Sequence, residues 1–307
     1  MRATRLPFVK MEGCGNDYVY VDLDRLGAAL AARVEAVAPG LARRVADRHH
    51  GVGSDGLVLL SGRDGGGRMR MWNADGSESA MCGNALRCVA RYLAERGGGE
   101  AAVLDVDMGD GVRRCALEWR DGGVVEVAVD MGAPVFEAAR VPFVAGASEL
   151  ALEVVAMPAG GPIELALPVD GRSCRAWTLS MGNPHVAILV DRDPAELPLD
   201  AIGPTIERDG AWPERVNVEL WRPGADGVLV QRTWERGTGE TMACGSGACA
   251  VGVAAVAAGH AARGDPVRIR LLGGELVVTW TAAGAVVKRG PAVTVFEGEL
   301  LLPDGLA

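Results

Sequence analysis

Gly15-Asn16-Asp17-Tyr18-Val19 and, far downstream, Gly182-Asn183-Pro184-His185-Val186 each lead into a short strand-like run, ending at Asp22 and Asp191. Each is followed by a second signature. Met81-Cys82-Gly83-Asn84 lies 66 residues after Asn16, counted to the cysteine, and Ala243-Cys244-Gly245-Ser246 lies 61 after Asn183. A glutamate stands four residues before each cysteine (Glu78, Glu240) and a polar residue nine before (Asn73, Glu235). Each Cys-Gly then opens a helical stretch carrying a further cysteine, Cys88 or Cys249. Parallel offsets of this kind mark an internal repeat, with halves of about 1–130 and 131–290 meeting near Asp130-Met131-Gly132.

Around these signatures the chain reads as many short strands and few helices. Strand-like runs include Val19–Asp22, Leu57–Leu60, Met69–Trp72, Val186–Val190, Val216–Trp221 and Leu276–Trp280, with glycine-rich breaks separating many of them. Three segments predict helix: Leu26–Arg48, broken by Pro39-Gly40; Asn84–Arg96, stopped by three glycines; and Gly247–Ala258. The last is apolar on all sides, so it should be surrounded by protein. Many strands around one fully buried helix suggest strands wrapped around a central helix.

Composition narrows the function. With 307 residues and 49% hydrophobic content the chain can build full cores, and its length suggests about two domains. A net charge of −9 argues against a nucleic-acid or anionic-membrane surface. Lys10 and Lys288 are the only lysines, which leaves few candidates for a Schiff base. Seven cysteines, scattered and odd in number, suit a reducing cytoplasm better than a disulfide scaffold. The longest apolar run, Ala248–Gly259, falls short of the ~20 residues needed to span a bilayer, and no secretory leader is visible.

Cys82 and Cys244 carry the chemistry. Each precedes a helix N-terminus, where free N–H groups and the helix dipole favour anions. That environment should lower the thiol pKa from ~8.5 toward neutrality, and the same N–H groups can bind a carboxylate. If the two copies face one small carboxylated molecule, one thiolate can remove a proton from carbon and the other thiol can supply one. The helix N-termini would stabilise the carbanion-like state. Cys88, Cys115, Cys174 and Cys249 read as packing residues. Asn183 and His185 share a strand face. His49 and His50 read as loop histidines, Gly51–Gly56 lacks the lysine and helix of a P-loop, and the remaining arginines read as solvated surface.

The sequence resembles the diaminopimelate epimerase family over essentially its whole length. The matching segments are Lys10–Tyr18, Gly51–Gly56, Asn73–Asn84, Ser180–His185, Glu214–Asn217 and Glu235–Gly247. The resemblance implies an α/β (α+β) fold of two pseudo-symmetric domains, each a β-barrel-like sheet wrapped around a central helix. It assigns 1–130 and a returning strand within 291–307 to one domain, and 131–290 to the other. It implies cofactor-independent interconversion of LL- and meso-2,6-diaminoheptanedioate in lysine and peptidoglycan precursor synthesis, with no metal. Cys82 and Cys244 match the acid/base thiols, and His185 and Glu235 match residues that tune them. Gly83-Asn84 and Gly245-Ser246 match the carboxylate-binding helix ends. Glu235, Arg236, Asn16, Asn73, Asn183 and Asn217 match substrate contacts. The implied partners are a small-molecule substrate and a second copy in a homodimer, with no nucleic acid and no membrane.

The sequence departs from the family pattern at Gly56, where many members carry a substrate-contacting glutamine, and at Ser54, Tyr18 and Trp72. Two other functions compete. A proline-type racemase on the same fold usually shows a histidine after its first Cys-Gly, where Asn84 stands here. A metal or redox thiol protein would prefer Cys-x-x-Cys, unlike the spacings Cys82/Cys88 and Cys244/Cys249.

Overall fold

The computed structural model describes residues 4–79, 82–109 and 111–302. The first part of the chain runs β1 (Thr4–Gly13), β2 (Asn16–Asp22), α1 (Ala28–Ala36), α2 (Ala38–Ala46), β3 (Gly56–Arg63), β4 (Gly66–Asn73) and β5 (Glu78–Ser79). It continues with α3 (Gly83–Arg96), β6 (Val103–Met108), β7 (Gly111–Arg120) and β8 (Gly123–Asp130). The second part runs β9 (Glu153–Ala156), β10 (Ile163–Val169), β11 (Arg172–Ser180), β12 (Pro184–Leu189), α4 (Leu199–Glu207), β13 (Asn217–Pro223), β14 (Leu229–Glu235) and β15 (Gly239–Glu240). Then come α5 (Gly245–Ala257), β16 (Pro266–Leu271), β17 (Gly274–Trp280), β18 (Val286–Gly290) and β19 (Val293–Leu302). Contacts group Met1–Val129 with Gly290–Ala307 as one unit and Asp130–Arg289 as the other.

Strand pairing repeats in the two units. Hydrogen-bonded neighbours run β19–β1–β2–β3–β4–β6–β7–β8 in the first. In the second they run β10–β11–β12–β13–β14–β16–β17–β18. The third and fifth steps of each series are parallel and the rest antiparallel. Parallel neighbours need a crossover. Helices α1 and α2 bridge β2 to β3, α3 bridges the β4–β6 step, α4 bridges β12 to β13, and α5 bridges the β14–β16 step.

Residue alternation places a layer on each sheet face. Val19 and Val21 of β2 and Leu57 and Leu59 of β3 pack against Leu41, Ala42 and Val45 of α2. The intervening Tyr18, Tyr20, Val58 and Leu60 are buried on the other face, and α3 packs against β1, β2, β3, β4, β6 and β7. In the second unit Val186, Ile188, Val218 and Leu220 pack against Leu199 and Ile206 of α4. His185, Asn217 and Glu219 therefore face the α5 side, where α5 packs against β11, β12, β13, β16 and β17. Residues 247–255 of α5 are all buried, as expected for a helix apolar on every side. Among the described residues no helix is long and apolar enough to cross a membrane.

Two local expectations need correction. Pro39-Gly40 does not break the first helical segment. The break falls at Val37, and Pro39 sits in the first turn of α2, where a missing N–H loses no intrahelical bond. Helix α4 has a weak sequence signal because it contains Gly203 and Pro204. Gly203 admits the Trp234 ring so closely that a Cβ would lie 2.4 Å from it.

Gly56 settles the fate of the missing glutamine. It has φ +157°, and a Cβ there would lie 2.0 Å from the Trp72 carbonyl oxygen and 3.0 Å from the Tyr18 ring. No side chain fits without moving β4. Gly56→Ala is expected to destabilise the fold by about 2 kcal/mol or more, read by urea denaturation, and Gly56→Gln at least as much.

Candidate active site

Cys82 and Cys244 are the N-cap residues of α3 and α5, both with extended backbone. The Cys82 thiol, half-buried, lies 3.6 Å from Asn16 Oδ1. Asn16 is held in turn, its Nδ2 donating to Asp55 Oδ2 at 2.7 Å. Asp55 also accepts from the Asp17 N–H (3.0 Å) and Arg48 (3.3 Å), while Lys10 pairs with Asp17 at 2.6 Å. Tyr18 lies beside this thiol; burial and then the neighbouring Cys82 push its hydroxyl pKa up. Asn84 is buried, and its Oδ1 accepts from Arg87 at 3.0 Å. Asn73, at the end of β4, donates to Ser77 at 3.0 Å and is exposed.

The second site is drier. Cys244 is buried, and its sulfur accepts from the Gly247 N–H at 3.3 Å and lies 3.5 Å from Ser246 Oγ. Glu235 Oε1 accepts from Thr241 Oγ1 at 2.5 Å. His185 lies with Nε2 2.9 Å from Asn183 Oδ1 and Nδ1 2.8 Å from Glu219 Oε1. Asn217 donates to the Pro184 carbonyl at 2.8 Å, and its Oδ1 accepts from the Arg236 N–H at 2.9 Å. Arg236 itself is exposed, and its guanidinium donates to the Glu214 carbonyl at 2.9 Å. Glu207 holds the same turn, accepting from Gly237 N–H and Trp234 Nε1, each at 2.9 Å.

A helix N-terminus alone would lower the thiol pKa, and Cys244 goes the other way. Burial, then the adjacent carboxylates of Glu235 and Glu219, push it well above the ordinary thiol value; the bonds from Ser246 and Gly247 oppose this. Desolvation and like charge outweigh the Ser246 hydroxyl and the Gly247 N–H. Cys244 is therefore a thiol at neutral pH, suited to donate a proton. By linkage its burial contributes stability that is present below ~8.5 and lost as pH rises through the raised value. Glu235 is itself pushed up by burial. Glu235→Gln is thus expected to lower the Cys244 pKa, moving the midpoint of its iodoacetamide alkylation to lower pH. Mass spectrometry of the Cys244 peptide reads this, and an unmoved midpoint contradicts it.

The repeated glutamates have a structural use that the sequence did not disclose. Glu78 accepts two bonds from Arg70 (2.8 and 3.0 Å), and Glu240 accepts two from Arg232 (2.7 and 2.9 Å). Each bidentate pair braces the short strand, β5 or β15, that leads to a cysteine. The signal was present as Arg and Glu at i and i+8 in both halves. The surface reading of the arginines fails at Arg87, which is fully buried. No disulfide joins any of the seven cysteines, and His49 and His50 lie in an exposed turn. Among the described residues no group of three or more His, Cys, Asp or Glu has the arrangement of a metal site.

A family profile described as diaminopimelate epimerase matches residues 8–137 and 177–295. The chain belongs to the diaminopimelate epimerase family. A diaminopimelate epimerase of Leptospira biflexa serovar Patoc is 40% identical over 298 residues, 96% of this chain and 99% of its own length. One from Desulfovibrio desulfuricans is 42% identical over 302 residues, covering 97% and 99%. Among solved structures, a hydroxyproline epimerase of Agrobacterium vitis with bound trans-4-hydroxy-L-proline superposes with TM-score 0.61. It covers 100% of this chain and 95% of that one, at 16% identity, so it shows the fold alone. The diaminopimelate epimerase family thus spans both units and both cysteine helix ends.

Proposed function

We propose that this protein is a diaminopimelate epimerase, an isomerase that interconverts LL- and meso-2,6-diaminoheptanedioate by thiol acid/base chemistry. The observation that carries the reading is the duplicated cysteine at a helix N-cap in a chain about 40% identical to diaminopimelate epimerases over nearly its full length. One cysteine, as thiolate, takes the α-hydrogen, and the other, as thiol, returns one to the same carbon with inversion. Whichever thiol acts as base in one direction acts as the acid in the reverse direction. Backbone N–H groups of Gly83-Asn84 and Gly245-Ser246 stabilise the charge that develops on the carboxylate. His185 and Glu235 tune the Cys244 thiol, and Asn16, Asn73, Asn183, Asn217, Glu235 and Arg236 read the substrate. The chemistry needs neither pyridoxal phosphate nor metal and belongs to lysine precursor synthesis. The enzyme works in the cytoplasm, where its thiols stay reduced, and assembles as a homodimer.

The test is turnover of LL-2,6-diaminoheptanedioate in heavy water with reductant present. Formation of the meso isomer should bring one deuterium onto the inverted carbon, and activity should fall when reductant is withheld. Preference for proline or hydroxyproline over diaminopimelate would replace this reading with a proline-type racemase.

A further inference from the structure

Glu219 is a fully buried acid on the α5 side of β13. The helix opposite it is built of glycine, alanine, cysteine and valine, with Ser246 in its first turn. The repeat shows that the fold does not require an acid there. Strand register pairs Ala187 with Glu219 in the second unit and Tyr20 with Val58 in the first. Asn16, Tyr18 and Val58 thus occupy the positions of Asn183, His185 and Glu219. Desolvating a carboxylate is costly unless partners offset it, so a valine position turned acidic calls for a use.

The contacts show one. Glu219 Oε1 lies 2.8 Å from His185 Nδ1, and His185 Nε2 lies 2.9 Å from Asn183 Oδ1. The first turn of α5 closes over the same oxygen: a Cβ on Gly247 would lie 2.6 Å from it, so only glycine fits. Oε2 has no hydrogen-bond partner among the described residues, so the hydrogen bonding of this carboxylate is concentrated on one imidazole nitrogen. His185 is wholly buried while Asn183 is partly exposed. The row therefore runs from a dry interior to an amide that reaches solvent.

We propose that Glu219 is a positioning residue: its carboxylate accepts the Nδ1–H of His185, fixing the ring and leaving Nε2 as an acceptor, which holds the Asn183 amide turned so that Nδ2, in place of the Oδ1 at 2.9 Å, donates to it. A carboxylate acceptor on one ring nitrogen decides the role of the other. With the ring fixed, the amide of Asn183 presents a set face to substrate. The row is absent from the first unit, where Tyr18 and Val58 stand, so the two thiols sit in chemically different surroundings. The inference rests on the epimerase reading only for its kinetic consequence.

Long-range 1H–15N spectra of the full-length protein labelled at histidine test it near neutral pH, with His185→Gln used to assign the signals. The wild-type spectrum should show His185 protonated at Nδ1. Glu219→Gln, which matches the size but can also donate, should shift population toward the Nε2–H form. It should also raise KM for LL-2,6-diaminoheptanedioate by about tenfold with a smaller change in kcat, the pattern of lost binding. A bare Nδ1 in the wild-type protein overturns the proposal without any variant, as does a Glu219→Gln protein with unchanged nitrogen signals. An inactive wild-type enzyme whose His185 tautomer still depends on Glu219 would refute the epimerase reading and leave the positioning role standing.

Discussion

Cys82→Ala and Cys244→Ala are each expected to reduce epimerisation of LL-2,6-diaminoheptanedioate by about 10²–10⁴-fold, the range for loss of a positioned acid or base. The effect should separate cleanly from folding. Cys244 accepts one long cap bond from Gly247, at 3.3 Å, and an N-cap change is worth roughly 1 kcal/mol. Thermal unfolding should move by only a few degrees while turnover collapses. In the proposed reaction both thiols serve one proton exchange, so the double variant should be little worse than either single one. Chiral chromatography of the products reads the rate, and normal turnover by either single variant would end the two-thiol reading. Cys88→Ala gives the contrast: its buried thiol, pushed up to about 11 by desolvation, belongs to packing and should leave turnover near normal.

The largest stability effect is expected at Arg87, one turn into α3. The guanidinium is fully buried. Nε donates to the Pro291 carbonyl at 2.9 Å, which ties α3 to the chain leading into β19. Nη1 donates to Asn84 Oδ1 at 3.0 Å and reaches the Gly83 carbonyl at 3.4 Å, while Nη2 lies 3.8 Å from Cys14 Sγ. One planar fork thus joins the helix end that carries Cys82, the β1–β2 turn and the returning chain. Arg87→Met leaves the Pro291 and Asn84 oxygens without this donor. At about 1–3 kcal/mol for each buried acceptor that loses the guanidinium, the variant should lose roughly 2–6 kcal/mol in urea denaturation. Arg87→Lys keeps the charge but not the fork and should recover only part of that. A loss under ~1 kcal/mol for Arg87→Met would show that the junction is held elsewhere.

How far the sequence reaches is clearest where neighbouring positions had different fates. The Cys-Gly pairs, the all-apolar run before Gly259 and the parallel offsets are local patterns. Each has one economical structural meaning: a cap at a helix end, a helix buried on every side and a unit used twice. The structure carries them as N-cap cysteines, nine consecutive buried positions (247–255) in α5, and two matching strand orders. Arg87 and Arg91 look alike as residues of a basic helix. Their burial depends on the Pro291 and Ala292 carbonyls some 200 residues away, and no local pattern records that.

The sequence by itself determined the repeat, the buried central helix of the second half and the two thiols at helix ends, because periodicity and capping act within a few residues. Only the tertiary structure decided the state of the Cys244 thiol. The helix end argues for a lowered pKa, but Glu235 and Glu219, brought to it from other strands in a buried site, raise it. It likewise decided that Glu219 meets His185, 34 residues away, across two parallel strands. Electrostatics in a dry interior depends on which distant charges arrive there, and chain order does not record that distance.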